Sequence, residues 1–145
     1  MRKFFYLVNF SYILEDGGKS EFDLGVFSTL NLARKKIMQS RSQTGFNEFT
    51  IDSFEIIKFG VEFDHPIVNK SNTVLYCVTH EYIDINSGDS FWTIFDYLST
   101  KEKAQKMVNH LKMHSQVGKK YPKNFEIVSI QVDNFNSWSE GFVSD

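Results

Sequence analysis

The chain carries one pattern twice, and an internal repeat limits the possible folds more tightly than composition does. Tyr6-Leu7-Val8-Asn9-Phe10-Ser11-Tyr12-Ile13 returns as Tyr76-Cys77-Val78-Thr79-His80-Glu81-Tyr82-Ile83. Val26-Phe27-Ser28-Thr29, followed by Ala33 and Ile37, returns as Tyr97-Leu98-Ser99-Thr100, followed by Ala104 and Val108. Phe49-Thr50-Ile51-Asp52-Ser53-Phe54-Glu55-Ile56 is read as returning in Phe125-Glu126-Ile127-Val128-Ser129-Ile130-Gln131-Val132. At 145 residues the chain has the size of one ordinary domain, whereas half of it is the size at which a lone fold is marginal. The expectation is two modules, 1–63 and 74–145 with a short C-terminal tail, joined by a linker over 64–73 and forming one compact unit.

Each module reads as β-β-α-β. Tyr6, Val8, Phe10 and Tyr12 share a face by the period of two. Asp16-Gly17-Gly18-Lys19 is a turn signal, and Phe22, Leu24 and Val26 alternate beyond it. Ser28 reads as a helix N-cap, and Ser99-Thr100-Lys101-Glu102 as a capping box. Leu30, Ala33 and Ile37 make one apolar helix stripe, and Ala104, Val108 and Leu111 the other; Arg34, Lys35 and Lys36 lie largely off them. The third strand is expected from Phe49 and from Phe125, with a change of apolar parity in both copies that suggests a β-bulge or a strand covered on both sides. The fold class is therefore α+β: two antiparallel three-stranded sheets of order 2-1-3, each with one helix. Phe5, Leu7, Ile13, Trp92 and Ile94 fall on the face away from the helix. Apolar surface of that extent is normally covered, which favours a pseudo-twofold pair of modules.

Net charge is −2, so no bulk attraction to nucleic acid or membrane is expected. Charge is unevenly spread: Ser99 to Lys123 holds seven lysines and one acid, while acids gather in the hairpins. Cys77 is the only cysteine, which excludes an internal disulfide and favours a reducing cytoplasm. Met1-Arg2-Lys3 before an apolar run imitates a signal peptide, but the same run recurs at 74–83, so it reads as a strand; no transmembrane span is expected.

Gly25-Val26-Phe27-Ser28-Thr29 with Ala33, then His80-Glu81-Tyr82, Ser99-Thr100, Ala104 and Tyr121-Pro122-Lys123-Asn124-Phe125-Glu126-Ile127, resemble the pattern of a small bacterial domain family found mainly as single-copy proteins without an assigned activity. The resemblance implies a tandem duplication of that domain and supports the fold; it implies no activity. The first module departs from the pattern with Phe10 where the second has His80.

No phosphate loop is present, because Gly17-Gly18 is short and precedes a strand. His110 and His114 have the spacing of one helical face, but no Glu, Cys or acid nearby completes a metal site. Asp84-Ile85-Asn86-Ser87-Gly88-Asp89 imitates the opening of a calcium loop but lacks its closing carboxylate, so an Asx-type turn is expected. His80 lacks a placed catalytic partner and reads as a half-buried histidine bonded to a backbone carbonyl. The expectation is a non-catalytic bacterial protein of the immunity type that occludes a cognate toxin, a basic nuclease for example, with no cofactor and no metal. Glu15, Asp16, Asp84, Asp89, Trp92 and Trp138 are the candidate partner-binding residues. The alternative is a nucleic-acid or regulatory binder using Lys101 to Lys123 with Tyr121 as a stacking platform. A third reading is a small enzyme centred on His80.

Overall fold

A computed structural model describes residues 1–142; residues 143–145, which the sequence reading placed in the C-terminal tail, lie outside the described residues. The order is β1 (Arg2–Ile13), β2 (Lys19–Phe27), α1 (Leu30–Ser40), β3 (Phe54–Glu62), β4 (Val74–Ile83), β5 (Ser90–Leu98), α2 (Lys101–His114), α3 (Gln116–Lys120) and β6 (Phe125–Gln131). The strands form two three-stranded sheets, β2-β1-β3 and β5-β4-β6. The expected α+β class and the 2-1-3 order are therefore what the chain adopts. Among the described residues no helix is long and apolar enough to cross a membrane.

The chain divides into two compact units. Unit 1 comprises Met1–Gly60, Asp64–Thr73 and the described residues from Gln131 on; unit 2 comprises Val61–Phe63 and Val74–Ile130. The repeat is a partition of sequence, whereas these units are a partition of space. The segment after β6 lies beside the first copy's strands and helix, and the 64–73 segment packs there too, with one 3₁₀ turn at Lys70–Asn72.

The two hairpins share an irregularity. The β1–β2 register slips between Val8 and Asn9, and the β4–β5 register between Val78 and Thr79, the matching place in the repeat. The extra residues are Leu24 and Phe95. A bulge of this kind switches the side-chain parity of one strand. Hence Phe22, Leu24 and Phe27 pack with α1, rather than the expected Val26, and Phe95 and Leu98 pack with α2. These registers show a bulge in the second strand of each copy, one that the alternation of Phe22, Leu24 and Val26 did not reveal.

The third strand of the first copy begins later than the alternation at Phe49 suggests. Phe46–Glu48 and Ile51–Ser53 are 3₁₀ turns, and β3 starts at Phe54. Phe54 precedes Phe125 by 71 positions, the offset that also separates Ala33 from Ala104. Phe54-Glu55-Ile56-Ile57 is therefore the true counterpart of Phe125-Glu126-Ile127-Val128, and the apparent parity change across 49–56 belongs to turns that alternate like a strand.

Both helices are capped one residue later than expected. Thr29 Oγ1 accepts from Leu32 N–H at 3.2 Å, and Thr100 Oγ1 from Lys103 N–H at 3.1 Å. Ser28 is engaged elsewhere, its N–H and hydroxyl donating to the two carboxylate oxygens of Asp133 at 2.7 and 2.6 Å. Ser99 Oγ is buried without a hydrogen-bond partner. Lys36, expected off the apolar stripe, is fully buried, and its ammonium donates to the carbonyls of Phe135 and Ser137 at 3.0 and 2.6 Å. No carboxylate neutralises it at those bonds, and burial lowers its pKa. The segment after β6 is thus tied to α1, and Phe142 completes the unit 1 core beside Phe10 and Phe46.

Candidate protein-binding surface

Three of the six candidate residues lie in unit 1 and three in unit 2. In unit 1, Glu15 and Asp16 are exposed at the β1–β2 turn. Leu14 N–H donates to Gly18 O at 2.7 Å, and Asp16 Oδ1 accepts from Gly18 N–H at 2.8 Å, so one oxygen of that carboxylate holds the turn. Gly17 has φ of 87°, which favours glycine there. Asp23, farther along β2, has its pKa raised by burial, opposed by the 3.0 Å bond from Asn9 Nδ2. Trp138 is 42 % exposed and stacks on Phe22 with ring centroids 4.5 Å apart. Its φ of 56° is costly for a bulky side chain, about 1–2 kcal/mol, so this stacked position is held rather than loose.

In unit 2, Asp84 and Asp89 flank the β4–β5 turn. Asp84 Oδ1 accepts from Asn86 and Ser87 N–H at 2.8 and 3.0 Å, the expected Asx-type turn. The bonds from Ser87 and then Asn86 hold the Asp84 carboxyl below its usual range. Trp92 is different. It is 53 % exposed, and no ring partner holds it among the described contacts.

Trp92 stands in a groove of about 480 Å³ on the face of the second sheet away from α2. The strands build it by simple alternation. On β4, Tyr76 and Val78 pack toward α2, so Thr79, Glu81 and Ile83 point to the opposite face. Trp92 is directly opposite Glu81 in the β4–β5 register. On β6, Phe125 and Ile127 pack toward α2 and Glu126 faces the groove. Asn124 closes the β4–β6 side: its amide donates to Glu81 O at 2.7 Å, while Glu81 N–H donates to Asn124 O at 3.3 Å. Lys123 lies at the rim. The result is an exposed indole on β5 beside the Glu81 carboxylate on β4, with Glu126 on β6 beyond it, an arrangement suited to a cationic or amphipathic group from a partner. Glu81 and Glu126 were not among the sequence candidates. The signal was weak but present, since each alternates with a residue of the apolar face.

The other readings find different surroundings. His80 is 1 % exposed, more deeply buried than expected. Its ring lies 4.4 Å from that of Phe125, and Nε2 is 3.0 Å from Tyr121 O, the backbone-carbonyl bond expected of it. Tyr121 has one ring face covered by Tyr82 at 4.4 Å, so it offers no open platform on that side. Cys77 is buried. Among the described residues no group of three or more His, Cys, Asp or Glu is gathered. A second groove, of about 490 Å³ in unit 1, is mainly apolar and lined by Arg34, Ile37, Met38, Ile51, Phe54 and Ile56.

Comparison with protein-family models, with curated proteins and with solved structures gives no match for this chain.

Proposed function

We propose that the chain is a bacterial inhibitor of the immunity type, a tandem-duplicated ββαβ protein that neutralises a cognate toxin in the cytoplasm by covering its working surface. The observation that carries this reading is the groove around Trp92. A half-exposed indole beside Glu81 and Glu126 offers the aromatic anchor and the charge that a basic partner, such as a nuclease, would meet. Within unit 2 the exposed acid Asp89 adds to this negative character, and in unit 1 Glu15 and Asp16 are exposed at their own hairpin turn. The duplication is supported by the common strand order and by register slips at matching places. Occlusion needs no chemistry from the inhibitor, only a rigid surface, and a three-stranded sheet backed by a helix supplies one.

The test uses the toxin encoded beside this gene. Mixed at micromolar concentration, the two proteins are expected to co-elute from a sizing column, and the toxin's activity is expected to fall in proportion to the inhibitor added. Separate elution with full activity would end the proposal.

A further inference from the structure

We propose that the C-terminal end of α2 binds one divalent transition-metal ion, of the zinc, nickel or copper type, between the imidazoles of His110 and His114. This inference does not depend on the proposed function. Both side chains are exposed, and both belong to a formed helix of 14 residues. Residues four apart stand one above the other on a helix face. Here the two rings lie 4.4 Å apart, centroid to centroid, and are tilted by 34°. Rings this close on an exposed helix face are within reach of one shared ion, which zinc sites hold at roughly 2.0–2.1 Å from each imidazole nitrogen. Imidazole is the donor these borderline ions favour over water, whereas magnesium and calcium prefer oxygen.

Two features of the helix strengthen the site. His114 is the last helical residue, so the partial negative charge of the helix C-terminus falls where the ion would sit. The helix is also longer than its counterpart in the first copy. By the repeat, Gln39 and Gln43 match His110 and His114, but α1 ends at Ser40, before the second position. The extra length of α2 is what places both imidazoles on one face. Lys106 occupies the preceding turn of the same stripe, so the protein supplies two nitrogens and water completes the shell.

Calorimetric titration of the full chain with zinc and nickel chlorides tests this. One site per chain of micromolar affinity is expected, with no heat from magnesium. His110→Gln and His114→Gln are each expected to weaken it by at least about tenfold, because a single imidazole loses the chelate. His65→Gln is expected to leave it unchanged. Both variant side chains are exposed, and circular dichroism checks that the helix persists. In parallel, zinc should shift the ring-proton resonances of His110 and His114 and spare those of His80. Absence of binding, or a site equally strong in the double variant His110→Gln/His114→Gln, would overturn the proposal.

Discussion

Phe10 and His80 hold the same place in the two copies, and their surroundings differ in kind. Phe10 has the rings of Phe46, Phe54, Phe49 and Phe142 at 4.8, 5.0, 5.2 and 5.5 Å. His80 has Phe125 at 4.4 Å and Tyr82 at 5.5 Å, and adds a hydrogen bond to Tyr121 O. The first interior is closed by a segment far away in sequence, from Asp133 to Phe142. The second is closed locally, by the connection from α3 to β6. The next turn of the helix repeats the contrast. Lys36 is buried and bonded to two carbonyls of that returning segment, whereas its counterpart Met107 simply packs with the unit 2 core. One backbone pattern thus accepts at this position a phenyl ring among other aromatic rings or a satisfied imidazole, provided that each buried polar group finds its partner.

The comparison can be strained by mutation, and each unit has its own reporter, since Trp138 lies in unit 1 and Trp92 in unit 2. The largest effect is expected for Phe10→Ala. It empties the centre of the aromatic cluster and should cost about 3–5 kcal/mol in urea unfolding followed through Trp138. Next is Lys36→Met, which gives the first copy the side chain of the second. It removes a buried charge but leaves the carbonyls of Phe135 and Ser137 without their donor, so a loss of about 1–3 kcal/mol is expected. A neutral outcome would mean that the segment is held by its aromatic residues alone.

His80→Phe makes the reverse exchange. It puts a larger ring into a fully buried place and strands the Tyr121 carbonyl, and a loss of about 1–3 kcal/mol is expected from the Trp92 signal. The smallest effect concerns acid. The carboxyl of Asp84 is held below its ordinary value of 3.8 by N–H groups of the folded turn. Its contribution is therefore present above that value and is lost as pH falls through the lower folded value. Asp84→Asn should flatten the acid limb of unit 2 unfolding without moving the midpoint of unit 1.

The strand order and the ββαβ plan were legible because alternation of two and the repeat report local geometry. What escaped was of three kinds. Ser28-Thr29 and Ser99-Thr100 each offer two hydroxyls in succession, and only the backbone shows which one caps the helix. Phe49-Thr50-Ile51 alternates like a strand although Ile51–Ser53 is a 3₁₀ turn; the equal offset from Ala33 to Phe54 and from Ala104 to Phe125 was the cue to the true start. The bonds of Ser28 and Lys36 to the segment after β6 span about a hundred positions and leave no local trace. The surface followed the same rule. Trp92 was recognisable as an unusual residue on a strand, but Glu81 and Glu126 join it only once β4 lies between β5 and β6.

The most direct test of the binding account is the affinity for the neighbouring gene's toxin measured by calorimetry with the wild-type chain and with Trp92→Ala. Trp92 is exposed, so its removal spares the fold and isolates its role at the surface. The account predicts a loss of at least about 2 kcal/mol, roughly thirtyfold in Kd, as expected when a central aromatic anchor is truncated. An unchanged Kd would contradict the placement of the binding surface at the groove around Trp92.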